Sequence, residues 1–554
     1  MRPRAVSYHL MMSAGRLDTV GSPAFTDEDS ARFRAAGWWS DATLSDAVRR
    51  NAEQSPERPA YVDHPGMSLN WRQFDETASY LAGQLAGAGI VRGDRVAVWH
   101  GDSSAIHVLL VAIERCGAVV VGIGARAGTR EAAAILRGSR PKLLICDEQR
   151  GSAARRTAST VADEHPVPIV VLEHNGGARL DVQTESRAVG ADAQLGSDDV
   201  FLINSTSGTT GLPKCVVHTQ NRWYYFHRKA VANGLLTSDD TFLPVIPMPF
   251  GFAVWTSHTT PIYLGATAVI LDRFSASAAC EAIARYRATV LCCVSTQLTM
   301  LMADPAVRDH DLSSLRVVFA GGEALPYRPA AEFEELTGAI ILQFYGSNET
   351  GMLSATTLDD SRPRRLRTAG RVVPEMAIRL FDGDRDVTET GRGQPACRGP
   401  ATSLGYLDGT DHKQLFTRDG WMRMGDLCEI DGDGYLTVTG RASDFILRGG
   451  KNISAAQVED AVMTHPAIAV AAAVAMPDPV FGEKVCLYAE LADSRTIGLP
   501  DLIEHLLAQG VSKELLPERL IVVDELPRSS GGKVAKGQLR EDMRIRVEAD
   551  HECS

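Results

Sequence analysis

The sequence lacks a run of apolar residues long enough to cross a membrane. A spanning helix needs roughly 20 consecutive apolar residues, and no stretch of the 554-residue chain approaches that length. The first 15 residues carry two arginines but no continuous apolar segment, so they do not have the pattern of a signal peptide. We therefore expect a cytoplasmic protein with no membrane span.

Cysteine pairs of the kind that bind zinc are also missing. Ten cysteines are scattered along the chain, none in a Cys-x-x-Cys pair, and no histidine lies at zinc-ligand spacing from them. We expect free thiols in a reducing compartment. A basic excess is missing as well, since the net charge of -12 argues against a protein that binds duplex nucleic acid.

What the sequence does contain is an alternation of helical and strand patterns. From about residue 42 to residue 320, amphipathic segments alternate with short apolar runs, and this rhythm predicts parallel α/β sheets. From Ala377 onward, short strands and Gly-Asp turns predict a small β-rich module, and about 110 further residues predict a compact α+β unit. We interpret residues 1 to about 40 as an extended lead-in and residues 151–196 as a surface connection around one strand. A chain of this length suits two to four domains.

One polar stretch stands out against this background, at residues 205–214. It reads Ser-Thr-Ser-Gly-Thr-Thr-Gly-Leu-Pro-Lys and follows an apolar strand pattern at residues 200–203. Glycines let backbone N–H groups approach a ligand closely, while the hydroxyls add donors and the lysine adds charge. The stretch is not a Walker P-loop, because it lacks Gly-Lys-Ser/Thr at the required spacing. A polar surface loop is the plain alternative, but the composition favours a triphosphate-binding loop.

Further polar clusters follow, one of them at the end of a predicted strand. Residues 343–351 include Tyr345 and Glu349, and an aromatic face suits a purine while a lone carboxylate beside phosphates suits Mg²⁺. Asp426 follows a glycine, and its carboxylate can accept hydrogen bonds from both ribose hydroxyls. The remaining positions of this kind are Arg441 and Lys533. Taken singly, each cluster has a plain structural interpretation as a turn or a solvated side chain.

In this order, the clusters resemble those of the adenylate-forming superfamily of acyl- and aryl-CoA ligases, aryl-acid adenylating enzymes, nonribosomal-peptide adenylation domains and firefly luciferase. The resemblance extends from about Trp38 to Leu539 and includes the phosphate loop, Tyr-Gly-x-x-Glu, Gly-Asp, Gly-Arg-x-x-Asp and a terminal Gly-Lys. It implies an α/β fold in which a large N-terminal domain of α/β subdomains plus a small β-rich module precedes a small mobile α+β C-terminal domain. It also implies an AMP-forming acid–thiol ligase that uses ATP, Mg²⁺ and CoA.

The resemblance assigns roles to individual residues of this sequence. The phosphate-binding positions are Thr206, Ser207, Gly208, Thr209, Thr210 and Lys214. The other nucleotide-binding positions are Gly321, Gly322, Glu323, Tyr345, Gly346, Asn348, Asp426 and Arg441. Glu349 matches the Mg²⁺ ligand, and Lys533 matches a mobile lysine that bridges the substrate carboxylate and the α-phosphate, where negative charge builds up. Lys533, Glu349 and Lys214 are therefore the expected catalytic residues.

The same resemblance implies a movement between domains. Asp444 matches the family's hinge, which divides the chain into a large N-terminal adenylation domain over residues 1–440, a hinge at 441–444 and a small mobile C-terminal domain over 445–554. Rotation at the hinge would withdraw Lys533 and bring residues 448–452 to the site, where they would shape a channel for a thiol.

Some positions depart from the family pattern. Asn348 and Met424 stand where the family usually has threonine, and Asn348 retains a donor for a phosphate. Aryl-acid adenylating enzymes usually carry His-Asn-Tyr where this chain has Phe250-Gly251-Phe252, and their Asn reads a ring 2-hydroxyl, so a salicylate-type specificity is in doubt. The expected substrate pocket comprises Trp223, Phe250, Gly251, Phe252 and Ser347. Its aromatics suit a flat aromatic or alicyclic acid, and the alternative is that they are core residues.

Several functions are compatible with these features. We favour a ligase that couples an aryl or similar carboxylic acid to CoA, and an enzyme that loads a separate carrier protein differs from it only in the thiol acceptor. Some relatives in bacterial secondary metabolism use this fold to activate nitrite with ATP and diazotise an aromatic amine, a third alternative. A non-enzymatic binding or scaffold role would leave the phosphate loop, Glu349 and Lys533 without a function. The sequence does not decide between a monomer and a homodimer.

Overall fold

The fold is described from a computed structural model of the chain. The structure describes residues 25–174, 178–182, 185–206, 213–322, 325–408, 412, 415–441, 445–448, 451–478, 481–492, 495–509, 511–529 and 533–552.

The strands are short and are spread over the whole described chain. In chain order they are β1 Pro59–His64, β2 Ser68–Asn70, β3 Arg95–Trp99, β4 Val119–Ile123, β5 Leu143–Cys146, β6 Ile169–His174, β7 Ala178–Leu180, β8 Val200–Thr206, β9 Lys214–Thr219, β10 Thr241–Pro244, β11 Thr267–Leu271, β12 Val290–Cys293, β13 Val317–Gly321, β14 Ile340–Ser347, β15 Gly351–Ala355, β16 Arg371–Val372, β17 Ala377–Asp382, β18 Arg385–Asp386, β19 Arg392–Arg398, β20 Met422–Arg423, β21 Asp426–Ile430, β22 Leu436–Arg441, β23 Phe445–Arg448, β24 Lys451–Ser454, β25 Ile468–Asp478, β26 Gly482–Leu491 and β27 Arg519–Val522.

Helices alternate with the strands through most of the chain. In chain order they are α1 Asp27–Ala35, α2 Leu44–Gln54, α3 Trp71–Gly87, α4 Ser104–Arg115, α5 Thr129–Ser139, α6 Gly151–Val161, α7 Gln220–Gly234, α8 Gly251–Ala253, α9 Thr260–Leu264, α10 Ala276–Tyr286, α11 Ser295–Ala303, α12 Ala306–Asp309, α13 Tyr327–Thr337, α14 Arg362–Arg367, α15 Ala455–Val462, α16 Leu499–Ala508 and α17 Lys536–Glu552. A π-helical turn, Val254–Thr259, joins α8 to α9.

Two large sheets with mostly parallel strands form the first two thirds of the chain. One has seven strands in the order β7-β6-β5-β3-β4-β8-β9, and the other has nine in the order β16-β15-β14-β13-β12-β10-β11-β1-β2. Their central strands, such as β4 and β13, are buried along their whole length, as expected for parallel strands covered by helices on both faces. A shared core contains Tyr61 of β1, Val98 of β3 and Trp255, so the two sheets pack as one body.

Two smaller sheets complete the fold. One follows the order β18-β17-β19-β21-β22, with β20 paired to β19, and the other follows the order β24-β23-β26-β25, with β27 paired to β26. The second has apolar clusters of its own, with Val458 and Leu487 in one and Tyr488 in the other. The predicted α/β fold, with a β-rich module after Ala377 and an α+β C-terminal unit, is confirmed.

Two segments differ from the prediction. The supposed lead-in contains α1, which Thr26 and Asp29 cap by reciprocal hydrogen bonds. The supposed surface connection begins with α6, which buries Gly151, Ala154 and Val161 along one face. Both helices were missed because each offers few large apolar side chains to a periodicity argument.

The predictions about cysteines and membrane spans can be compared with the described residues. The cysteines there are free thiols, and all but Cys215 are buried. Each helix in the described ranges is too short or too polar to span a bilayer.

Candidate active site

The candidate site lies where strands of the second large sheet end. Strands β13 and β14 run parallel, so Gly321 and the turn that follows Ser347 are at the same edge of the sheet. The antiparallel pair β8 and β9 brings Thr206 opposite Lys214 across the base of the predicted phosphate loop. The predicted site positions Ser207, Gly208, Thr209, Thr210, Glu323 and Asp444 lie outside the described residues, as does the side chain of Arg441.

Glu349, the predicted metal ligand, and Lys214 both contact the side chain of Tyr406. The hydroxyl of Tyr406 donates to Glu349 Oε1 at 2.7 Å, and Lys214 Nζ is 5.1 Å from the centroid of the Tyr406 ring. The segment that carries Tyr406 is held by backbone hydrogen bonds to β9, including one from Leu407 N to Cys215 O at 2.8 Å. The Tyr406 side chain therefore contacts a carboxylate through its hydroxyl and an ammonium group through its ring.

Tyr345 and Asp426, which are predicted to contact adenosine, are joined by a hydrogen bond between their side chains. The Tyr345 hydroxyl donates to Asp426 Oδ2 at 2.9 Å, and the Cys428 thiol lies 3.4 Å from the same hydroxyl. Burial and the nearby Asp426 carboxylate raise the pKa of Tyr345 well above its ordinary value, so the phenol stays protonated. Gly346 has to be glycine, because a Cβ there would lie 1.8 Å from the carbonyl oxygen of Gly351.

Lys533 reaches the same sheet edge from the C-terminal unit. Its Nζ donates to the carbonyl oxygen of Gly322 at 2.6 Å and lies 5.6 Å from the centroid of the Phe250 ring. The backbone at Lys533 is held by a hydrogen bond of 2.7 Å from Ser529 N to Lys533 O. The structure therefore brings a lysine from near the carboxyl terminus to the end of β13, beside an aromatic residue of the predicted pocket.

Arg222 is a buried cation beneath the turn that carries Glu349, and the sequence argument missed it. Its guanidinium donates from Nη1 to the carbonyl oxygen of Asn348 at 2.7 Å and from Nε to that of Ala401 at 2.9 Å. Burial lowers its pKa to about 9, and the Glu349 charge acts in the opposite direction. An arginine within the apolar face of α7 was the available signal.

The predicted pocket residues divide into two groups. Phe250 and Gly251 lie near Lys533 and Asn348, whereas Phe252 stacks on Trp255 at 5.6 Å and meets Phe344 edge-on at 4.6 Å, within an aromatic core cluster. Trp223 is 2 % exposed. A Cβ at Gly251 would lie 3.3 Å from Trp223 Cη2, so the indole edge faces this glycine.

Ser347, also predicted to line the substrate pocket, makes hydrogen bonds within the turn that follows β14. Its Oγ accepts hydrogen bonds from the backbone N–H groups of Glu349 and Thr350, at 3.2 and 3.1 Å. The serine side chain thus fixes the turn that presents Glu349.

Comparison with known proteins identifies the family. A sequence profile of AMP-binding enzymes matches residues 48–407, and a profile of the AMP-binding enzyme C-terminal domain matches residues 457–533. The chain belongs to the AMP-binding enzyme family. This confirms the predicted superfamily.

Relatives of similar length support this membership. The medium-chain fatty-acid–CoA ligase of Escherichia coli is 31% identical over 557 residues, which cover 95% of this chain and 95% of that protein. The salicyl-AMP ligase / salicyl-S-ArCP synthetase of Mycobacterium tuberculosis is 31% identical over 535 residues, 93% of each chain. The ATP-bound structure of MatB from Rhodopseudomonas palustris superposes with a TM-score of 0.79 at 25% identity, covering 90% of this chain and 98% of that one. This AMP-binding enzyme is therefore an AMP-forming acid–thiol ligase that uses ATP, as predicted.

Proposed function

We propose that this AMP-binding enzyme activates an aryl or alicyclic carboxylic acid with ATP, releasing pyrophosphate, and then transfers the acyl group from the adenylate to CoA. The observation that carries the proposal is the position of Lys533. Its ammonium group lies at the end of β13, bonded to Gly322 and close to the Phe250 ring.

The first half-reaction requires two anions to meet. A carboxylate attacks the α-phosphorus of ATP, one P–O bond forms, and the bond to pyrophosphate breaks. Positive charge placed at the attacked phosphate favours this transition state over the separated anions. Lys533 would supply that charge from the C-terminal unit, and Lys214 would act on the departing phosphates from the base of the phosphate loop.

Glu349 is the residue that would hold Mg²⁺. It is half-buried, its Oε1 accepts a hydrogen bond from Tyr406, and its charge raises the pKa of the buried Arg222 against the effect of burial. Mg²⁺ at nucleotide sites is commonly bound through one or two carboxylates, substrate phosphates and several waters, so one protein carboxylate fits such a site. The ion would neutralise phosphate charge. Tyr345 and Asp426 would meanwhile position the adenosine moiety.

A flat acid suits the residues nearest Lys533. The Phe250 ring lies next to the ammonium group, and the Trp223 edge faces Gly251, which has no side chain of its own. A planar ring can pack against such aromatic walls with little loss of conformational entropy. An aryl or alicyclic substrate therefore agrees better with this pocket than a long flexible chain does.

Transfer to a thiol would follow a domain movement. We propose the domain boundaries stated above, with rotation at residues 441–444 withdrawing Lys533 and bringing residues 448–452 toward the adenylate. CoA is the favoured acceptor, and a separate carrier protein is the alternative, since relatives with both kinds of name are similar to this chain over nearly its full length.

The test is an ATP–pyrophosphate exchange screen with aryl, cinnamyl, alicyclic and fatty acids. Each active acid is then incubated with ATP and CoA, and the product is analysed by mass spectrometry. We expect exchange with ring-bearing acids and a CoA thioester. Exchange without a thioester would point to a carrier protein as acceptor.

A parallel arm tests the diazotisation alternative. Amino-aryl acids are incubated with ATP and nitrite, and AMP release is measured with and without each component. AMP release that requires nitrite and an arylamine, together with no acid-dependent exchange, would contradict the proposed function.

A further inference from the structure

Two asparagines from distant parts of the chain form a reciprocal amide pair behind the acyl pocket. Asn348 Nδ2 donates to Asn204 Oδ1 at 2.6 Å, and Asn204 Nδ2 donates to Asn348 Oδ1 at 3.3 Å. The residues are 144 positions apart, Asn204 in β8 and Asn348 in the turn after β14. Together, these two hydrogen bonds fix the orientation of the Asn348 carboxamide.

The orientation of Asn204 is itself fixed by buried neighbours. His218 is fully buried, and burial together with the Arg222 charge lowers its pKa well below the ordinary value, so the imidazole is neutral. Arg222 has donors only and faces His218 Nδ1, which must therefore accept. The imidazole proton is consequently on Nε2, from which it is donated to Asn204 Oδ1 at 2.7 Å. Asn204 Nδ2 also donates to Pro249 O at 2.9 Å, which excludes the flipped amide.

The glycine at position 251 is matched to this pair. A Cβ at Gly251 would lie 2.6 Å from Asn348 Oδ1, closer than carbon and oxygen approach without displacement. Gly251 follows Phe250, whose ring lies 5.6 Å from Lys533 Nζ. The Asn348 carboxamide thus packs against the backbone of Gly251, and the preceding residue, Phe250, lies next to Lys533.

Asn348 has hydrogen-bonding capacity left after these contacts. Its amide has two N–H groups and a carbonyl oxygen with two lone pairs, and Asn204 takes one N–H and one lone pair. In the described part of the chain its side chain makes no other hydrogen bond. One donor and one acceptor are therefore left on a half-buried amide whose rotation is prevented.

We propose that Asn348 is a specificity-determining residue that binds a hydroxyl or amino substituent on the ring of the acid, and that the glycine at position 251 leaves room for the Asn348 carboxamide. The reciprocal pair uses one edge of the carboxamide, so the remaining N–H and the remaining lone pair of the carbonyl oxygen point in different directions. A hydroxyl or amino group both donates and accepts, so it can bond to either of them, one at a time. Asn204 is a positioning residue for this contact. The inference rests on the proposed acid activation and adds the chemical class of the ring substituent.

The experiment compares hydroxy- and aminobenzoates, in all ring isomers, with unsubstituted benzoate by ATP–pyrophosphate exchange. We expect kcat/KM for the best isomer to exceed that for benzoate by about tenfold, the usual contribution of one hydrogen bond. In Asn348→Thr, which introduces the family's usual residue, the preference should fall to within a few fold. Gly251→Ala, whose Cβ would displace the Asn348 amide, should reduce the same preference.

Matched controls separate the outcomes. Asn233→Thr makes the same replacement at a half-buried asparagine bonded to Thr356 O, and it should leave the preference intact. A parent enzyme that exchanges with benzoates, but whose preference survives both Asn348→Thr and Gly251→Ala, overturns this inference and leaves the proposed function standing. If Asn348→Thr raises the KM for ATP equally with all acids, Asn348 contacts the nucleotide, and this result also overturns the inference. Absence of exchange with every acid removes the proposed function and this inference together.

Discussion

Lys533 and Gly322 are joined by a hydrogen bond of 2.6 Å from the lysine Nζ to the glycine carbonyl oxygen, across 211 positions of sequence. This contact joins the C-terminal unit to the carboxyl end of β13, a central strand of the nine-stranded sheet. If the ammonium group supplies positive charge for the proposed adenylation alone, mutation of Lys533 should separate the two half-reactions.

Lys533→Ala should abolish adenylation but spare thioester formation. Removing one preorganised group that stabilises transition-state charge costs about a hundredfold to a thousandfold in rate. Acid-dependent ATP–pyrophosphate exchange should fall by at least that factor, while conversion of a synthetic acyl-adenylate with CoA should change little, because Lys533 would be withdrawn in that step.

Lys536→Ala is the matched control for this lysine. Lys536 lies three positions further on and is paired with Glu459 within the C-terminal unit, at 2.7 Å. Its loss should leave exchange near the parent value. Equal loss of both half-reactions in Lys533→Ala would contradict the assigned role.

A second prediction concerns the glycine partner. Gly322 has a φ of +84°, and a Cβ there would lie 3.2 Å from Lys533 Nζ, whereas Gly338 has a φ of +76° with nothing within 4 Å of its Cβ position. Either change to alanine should lower the free energy of unfolding by about 1–2 kcal/mol, because both impose a left-handed backbone on an L-residue. Only Gly322→Ala should also displace Lys533 and lower exchange, by up to about a hundredfold. Equal exchange rates in the two variants would show that the lysine does not dock on this glycine.

The sequence predicted the fold from features that local composition reveals. The helix and strand rhythm, the β-rich module after Ala377 and the family resemblance all depend on short stretches with strong periodicity or distinctive turns. It failed for α6 because alanine, glycine and threonine form much of its buried face. Small side chains bury little area each, so the burial of α6 depends on the tertiary packing of its neighbours.

The site shows the same limit in its polar contacts. Glu349, Asp426 and Lys533 could be singled out from the sequence because their neighbours form recognisable motifs, and their roles stay predictions. Tyr406 and Asn204 were missed, since each acts through a partner that lies far away in sequence. Contacts between distant segments, such as the hydrogen bond of 2.8 Å from Ser403 N to Glu349 O, bring such partners together.

A third prediction concerns the metal dependence of the reaction. Glu349→Gln keeps the shape of the side chain but removes the charge that would hold Mg²⁺, so half-maximal exchange should require a much higher Mg²⁺ concentration. Tyr406→Phe leaves the carboxylate but removes its hydrogen bond of 2.7 Å, and loss of such an outer partner typically costs about tenfold to a hundredfold in metal affinity. A Mg²⁺ titration of the exchange rate measures both.

Tyr435→Phe serves as the control for Tyr406. It removes a tyrosine–carboxylate bond, to Asp360, away from the proposed site. The Mg²⁺ requirement should be that of the parent. If Glu349→Gln also leaves the requirement unchanged, Glu349 is not the metal ligand.

The last prediction concerns the pH dependence of stability. Burial raises the pKa of Glu114 to about 7, against the opposing effects of hydrogen bonds from Ser45, Gln220 and Thr43 and of the Arg115 charge. The unfolded chain loses this proton near the ordinary pKa of 4.5. Between these two values the native state binds more protons than the unfolded state, so the free energy of unfolding falls as the pH rises, with a limiting slope of about 1.4 kcal/mol per pH unit from this group.

Glu114→Gln removes the titrating group while keeping an acceptor for the Ser45 N–H, which now donates to Glu114 Oε1 at 3.1 Å. Urea unfolding across this pH window should therefore give a flatter dependence in Glu114→Gln than in the parent. Glu53→Gln, at an exposed position of α2, should keep the parent's slope. Identical slopes in the parent and Glu114→Gln would mean that the Glu114 carboxyl is ionised in the folded protein throughout the window, and that the hydrogen bonds and Arg115 outweigh its burial.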